Sequence, residues 1–191
     1  NNGPLNTSSF AHHENPYNYR LNSYSPDGEW ENIIINYDEY GHRVIKNDCR
    51  KNFSNQKPQI VFLGDSYVAG NQVKNRDSFP NIIQNKLCDQ EFLVHNFGIS
   101  SYSPVLSYLH LIQQINNNHK LNLIEGSHII HVLFDNDIND DIKYSKLIKY
   151  KKTNNGQIPI INTKKKYDFL GRLIRRSYFI RLIRRFQITF R

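Results

Sequence analysis

The stretch Gln59 to Gly70, QIVFLGDSYVAG, constrains this chain more than any other. Ile60 to Leu63 is a short, continuous apolar run bounded by Pro58 and Gly64, and a run of that length with β-branched and aromatic members predicts a buried strand. Gly, Asp and Ser follow at once. Ser66 is thereby set at the strand's carboxyl end, where open α/β sheets bind their ligands, and its hydroxyl becomes a candidate for chemistry.

The pattern continues downstream. Ser78 is placed to cap a helix with Pro80 at its second position, and Phe79, Ile82, Ile83 and Leu87 form an apolar stripe at helical spacing. Glu91 to Phe97 reads as the next strand, ending in Asn96, Phe97 and Gly98. Ser103 and Pro104 open a second helix with Val105, Leu109, Ile112 and Ile115 on one face, and His128 to Phe134 is a third strand, expected to be buried, that stops at the acidic run DNDINDD. Strand, helix, strand, helix, strand with short connections predicts a parallel α/β sheet with right-handed crossovers. All three strands then deliver their carboxyl ends to one rim, where Ser66, Gly98 and Asn136 converge.

The flanks are less regular. Residues 1–27, rich in Asn, Ser, Pro and Tyr, read as an irregular arm; Asn32 to Asn36 suits an edge strand and DEYGHR at 38–43 a turn. Beyond Asp141, Lys143 to Lys152 is expected to be a helix, and Thr153 to Ile161 a small hairpin turning at Asn155 and Gly156. LIRR occurs at 173 and again at 182. At roughly 100° per residue the two copies fall on opposite sides of one helix, so its basic and apolar faces do not separate. The division expected is an arm over 1–56, an α/β core over 57–142 and a basic extension over 143–191.

Charge follows that division. Residues 1–142 hold 10 Lys/Arg and 16 Asp/Glu, net −6, whereas residues 143–191 hold 15 Lys/Arg and one Asp, net +14. A basic extension suits an anionic surface, such as a membrane or an acidic polysaccharide, while the acidic domain beside it argues against nucleic acid. At 191 residues one domain with extensions is expected, and no apolar run approaches the roughly 18 residues of a membrane span. The first residues do not resemble a signal peptide and the sequence holds no Met. A processed product or a piece of a longer chain is therefore expected, with a periplasmic, extracellular or membrane-associated location favoured over the cytoplasm. Cys49 and Cys88 are not in metal-like spacing and are read as free thiols in preference to a disulfide.

A serine hydroxyl needs a base to take its proton, and an ester carbonyl needs donors aimed at the developing oxyanion. The N–H of Ser66, the N–H of Gly98 and the side-chain amide of Asn136 are candidates for the second task. The G-x-S-x-G elbow is not met, because Val68 stands where its last Gly would be. Asp135, Asp137, Asp140 and Asp141 lack the spacing of an EF-hand loop, and Gly64 lacks the Gly-Lys-Ser/Thr ending of a phosphate loop. No metal or cofactor is expected.

GDSYVAG at 64–70, Gly98 within NFGIS and the Asn136-Asp137 pair in LFDNDINDD resemble the first three sequence blocks of the SGNH, or GDSL-type, hydrolases. The resemblance covers roughly residues 57–141. It implies a flavodoxin-like three-layer fold and serine-dependent cleavage of acyl esters, often acetyl groups on carbohydrate. Ser66 would be the nucleophile, with Ser66, Gly98 and Asn136 forming the oxyanion hole and Asp65 shaping the turn. That family draws its base from a D-x-x-H block near the C-terminus, and no His follows His131 here. Either the chain stops before that block, the preferred expectation, or it is a carbohydrate- or surface-binding module on the same fold. An O-acyltransferase with the same site is the third expectation. His128 and His131, and His95 one strand over, are expected to be sheet histidines well below the rim.

Overall fold

The computed structural model describes residues 6–8, 12–25, 28–30, 32–45, 57–90, 92–116, 121, 123–135, 137–153 and 156–161. The basic segment 162–191 with its LIRR repeats, and Asn136, Cys49, His119 and the Asn155 turn residue, lie outside the described residues.

At the centre is β5 (Gln59–Gly64), every residue of which is buried. It is flanked by β6 (Leu93–Gly98) and β7 (His128–His131), both parallel to it, in the order β6-β5-β7. Residues alternate between the faces of a strand, and β5 uses both. Ile60 and Phe62 join Val94 beneath α2 (Phe79–Lys86), whose Phe79, Ile83 and neighbouring Leu87 complete that core. Val61 and Leu63 join Phe97 beneath α3 (Pro104–Asn116), through Leu111 and Ile115. Burying one such side chain contributes roughly 1.5–3 kcal/mol, so the four in β5 alone outweigh any surface interaction in the chain. The structure is a parallel sheet between helices, an α/β arrangement.

Several elements differ from expectation for identifiable reasons. Residues 1–27, expected to be irregular, contribute β1 (Asn6–Ser8), β2 (His12–Glu14) and β3 (Arg20–Ser23). β1 pairs antiparallel with β2, and β3 pairs antiparallel with β4 (Ile33–Asn36), the Ile run. The β3–β4 pair has a small core of its own, Leu21, Ile33, Ile35 and Tyr37 with Trp30 against it, which a count of Asn and Ser obscures. The turn at 38–43 forms, with Asp38 Oδ1 accepting the N–H groups of Tyr40 and His42.

The third strand is shorter than its apolar run and is not buried: Ile129 and Ile130 are 47% and 41% exposed. β5 is its one strand neighbour among the described residues, and β7 is an edge. The acidic run after it leads into α4 (Asp137–Ser145), whose first turn holds Asp137 and Asp140, where carboxylates favour the helix dipole. Asp141 Oδ1 also accepts the Val105 N–H at 2.8 Å, capping α3 from the neighbouring helix. The helix expected over 143–152 gives way to β8 (Ile148–Thr153), which pairs with β9 (Gly156–Ile161) in a hairpin longer than anticipated. Cys88, in a 3-10 turn after α2, is disulfide-bonded, which corrects the free-thiol reading; Cys49 is the chain's other cysteine.

Ser78 precedes α2 as expected, but its hydroxyl donates to Asn75 O rather than capping the helix. The less anticipated residue of α2 is Gln84, which is fully buried. Its Oε1 accepts the Val94 N–H at 2.8 Å and its Nε2 donates to Phe92 O at 2.9 Å, so one carboxamide stands in for a neighbouring strand along the outer edge of β6. Replacing Gln84 by Ala strands both backbone groups away from water, and the expected loss is about 2–3 kcal/mol in urea denaturation. Lys86→Ala, at an exposed position of the same helix, should cost several times less in the same measurement.

Candidate active site

Ser66 is the first residue of α1 (Ser66–Ala69), a single turn that follows β5 through Asp65. Asp65 caps that turn, its Oδ1 accepting the Tyr67 N–H at 3.0 Å. Burial raises the Asp65 carboxyl above its ordinary range, opposed chiefly by that Tyr67 hydrogen bond, while the charge of Asp137 raises it further and the Ser66 and Asp65 N–H groups hold it down. Ser66 itself is exposed.

Two glycines allow α1 to sit where it does. Gly64 has φ 154°, and a Cβ there would lie 2.5 Å from Val68 Cγ2. A Cβ on Gly98 would lie 2.2 Å from Ala69 N and 2.5 Å from Val68 C, so α1 rests backbone to backbone on the end of β6. Asn96 fastens the contact, donating from Nδ2 to Val68 O and accepting the Gly98 N–H at Oδ1, both at 2.9 Å.

The strand register, Gly64 opposite Gly98 and Leu63 opposite His131, brings Ser66, Gly98 and the β7–α4 connection to one rim. Tyr67 stacks on Phe134 with centroids 4.0 Å apart, which closes that connection against α1. Asn136 lies outside the described residues; beside it, Asp137 Oδ2 accepts the Phe134 N–H at 2.6 Å. The donors proposed for the oxyanion are engaged differently: the Gly98 N–H is held by Asn96, and the Ser66 N–H interacts with the Asp65 carboxyl. Ser101, in the turn after β6, was not singled out in the sequence. It is exposed with φ 63°, and its N–H makes no hydrogen bond among the described residues. A non-glycine residue in that left-handed region is uncommon and such residues gather at functional sites; SSYSP offers no glycine to betray it.

The arm is part of this site. Arg43 is buried, forms an antiparallel bridge with Asn96, and reaches past α1. Its Nη1 donates to Ala69 O at 2.8 Å and to Gly70 O, its Nη2 to Val73 O at 2.9 Å and its Nε to Asn75 Oδ1 at 3.1 Å. One guanidinium therefore holds the whole segment that follows the serine turn. Asn15 Nδ2 donates to Gly41 O within the arm at 3.0 Å and to Gly98 O at 3.4 Å, and His13 Nε2 donates to Ser100 O at 2.8 Å, the last two tying the arm to the end of β6 and the turn after it.

Between arm and rim lies a cleft of about 540 Å³ lined by Ser66, Tyr67, Gln72, Asp77 and, from the arm, Ser23 and Trp30. That volume is within the roughly 300–1,000 Å³ of small-molecule sites. A smaller cavity of about 130 Å³ between the arm and β6, around His42 and His95, shares no residue with it.

Ser66 makes no hydrogen bond to a histidine among the described residues. His131 ends β7 opposite Leu63, nearer the rim than anticipated, and its imidazole is half-buried with its pKa lowered by burial. His128 is exposed rather than held in a core, and His95 is buried in β6. His42 and His110 are both buried, with their Nε2 atoms 3.2 Å apart and His42 stacked on Phe97 at 3.7 Å. Among the described residues no group of three or more His, Cys, Asp or Glu side chains is placed to hold a metal ion. No protein-family model matches the chain, and no curated protein matches it significantly.

Two measurements follow from this geometry. Arg43→Ala removes the guanidinium from four acceptors, of which Gly70 O keeps the Val73 N–H, and should cost about 3 kcal/mol in urea denaturation, with faster hydrogen exchange confined to residues 69–75; Arg43→Lys should recover less than half, because an ammonium cannot span a fork of acceptors. Burial also pushes His110 down to about 4. It is neutral in the folded chain but protonates near pH 6.5 when unfolded, so its contribution is complete above pH 6.5 and is lost as pH falls toward 4. Between pH 7 and 5 that loss should be about 2 kcal/mol, and His110→Leu should remove that part of the pH dependence in paired denaturation curves.

Proposed function

We propose that this chain carries the nucleophile of a serine ester hydrolase of the SGNH type, on a flavodoxin-like three-layer core, acting through an acyl-serine intermediate on esters that include O-acetylated carbohydrate. The observation that carries this reading is the placement of Ser66: exposed, at the carboxyl end of the central strand, on a capped turn, and opening into a 540 Å³ cleft. Open α/β sheets bind ligands at this place. The strand order β6-β5-β7 and the convergence of the GDS turn, Gly98 and the β7–α4 connection on one rim support it.

In the reaction Ser66 Oγ attacks the ester carbonyl as a base removes its proton, the alcohol leaves, and water releases the acid. Donors at the rim, among them Gly98 and Asn136 by the SGNH likeness, would hold the oxyanion. For Gly98 to do so the Asn96 carboxamide must turn away. Transfer of the acyl group to a sugar hydroxyl uses the same apparatus with a different acceptor. The disulfide at Cys88 supports an oxidising compartment, periplasmic or extracellular. Among the described residues no helix is long and apolar enough to cross a membrane. The basic segment 162–191 suits an anionic surface beside the enzyme.

A fluorophosphonate probe tests the nucleophile, with imidazole added as an external base so that labelling depends on Ser66 and its surroundings alone. The expected result is one adduct, mapped to the peptide containing Ser66 and absent in Ser66→Ala. Labelling that persists in that variant, or its absence in the native chain at every imidazole concentration, removes the esterase assignment in favour of a binding module.

A further inference from the structure

The cleft beside Ser66 has two walls of different origin. One is α1 and the segment after it, with Tyr67, Gln72 and Asp77; the other is the β3–β4 hairpin of the arm, with Ser23 and Trp30. Trp30 is the chain's single tryptophan. Its Nε1–H donates to Ser23 Oγ at 3.2 Å and one side packs on the hairpin core, so the indole is fixed in place while its remaining surface borders the cleft. Opposite it stand groups that bond hydroxyls. Gln72 is exposed and makes no hydrogen bond among the described residues, and Asp77 is 54% exposed at its side chain with Arg76 its ion-pair partner at 3.5 Å. Asp77 is the one formally charged residue among the described residues that line the cleft.

We infer that the arm supplies the specificity wall of this site: Trp30 is a platform for an uncharged pyranose ring, with Gln72 and Asp77 bonding its hydroxyls and Ser66 at the ring's ester. The face of an indole carries the negative part of its quadrupole and attracts the partly positive C–H face of a sugar ring, while the ring's edge presents hydroxyls that need acceptors as well as donors. A carboxylate supplies acceptors only. An acyl-chain ester would offer Gln72 and Asp77 no hydroxyls to bond, and a uronate would bring a second carboxylate beside Asp77, whose ion-pair partner Arg76 is not a lining residue of the cleft. This assignment rests on the esterase reading for the identity of Ser66 as the reacting group, but its recognition half stands apart from catalysis.

The single tryptophan makes the test direct. Full-length Ser66→Ala, which cannot be acylated, is titrated with a neutral O-acetylated xylo-oligosaccharide while Trp30 emission is followed. A saturable change with a Kd of about 1 mM or tighter is expected. By calorimetry Trp30→Ala should weaken binding about tenfold and Trp30→Phe much less. Gln72→Ala, at an exposed position where folding is not at stake, should also weaken it. An acetylated uronic-acid oligosaccharide should bind about tenfold more weakly than the neutral one, and Asp77→Asn should narrow that gap. No emission change, or an equal response to the uronate or to p-nitrophenyl octanoate, overturns the inference. Saturable sugar binding by a chain that never takes the fluorophosphonate would retain the platform and remove the esterase; labelling without sugar binding would do the reverse.

Discussion

Everything at the rim depends on one contact without side chains, the seat of α1 on the end of β6. With no Cβ at Gly98, the backbone of Val68 and Ala69 lies directly against the strand, and Asn96 bonds across the contact to Val68 O while its Oδ1 holds the Gly98 N–H beside it. Protein interiors accommodate a displaced methyl group poorly, so this seat fixes α1, and α1 fixes Ser66, more firmly than a packed side chain would. The same economy recurs at Gln84, where a carboxamide completes the edge of β6 that no strand covers among the described residues. Two amides, Asn96 and Gln84, thus define one strand from both ends of its length.

The arm is built onto that seat rather than beside it. α1 ends after one turn, which leaves the carbonyls of Ala69 and Gly70 without helical donors, the usual deficit at a helix C-terminus. Arg43 fills it and continues to Val73 and Asn75. A planar fork with a permanent charge suits several carbonyls at once, and burial at this point is tolerated because the guanidinium meets oxygen from each of its three nitrogens. The arm that delivers Arg43 also delivers Trp30 to the cleft, so the element that stiffens the serine loop is the one that shapes what approaches it.

The sheet was legible because its signals are local. The runs at 60–63 and 93–97, the glycines that end them and the Ser-Pro and Ser-Phe-Pro helix starts each specify structure within a few residues. What composition concealed is long-range. The N-terminal residues look irregular because their strands are short and polar, and their order comes from partners far along the chain, Asn15 at Gly98 and His13 at Ser100. The apolar character of HIIHVLF signals a strand but not its burial, since β7 has β5 as its one strand neighbour among the described residues and its Ile129 and Ile130 are exposed. Ser66 and the Gly98 turn could be located from sequence; the commitment of the Gly98 N–H to Asn96, two residues away, could not.

The histidines show the same division between what a residue can do and where packing puts it. A general base needs a pKa near the working pH and access to its proton. His110 has neither, being enclosed beside His42 and pushed down to about 4 by burial. The stack of His42 on Phe97 and the bond from His13 to Ser100 fix two arm histidines against β6 and its turn. Burial that keeps an imidazole neutral is what allows it to serve as a core residue, and the same burial removes it from proton transfer at Ser66. The rim therefore presents an exposed serine hydroxyl beside a cleft, while the buried histidines hold the arm in place.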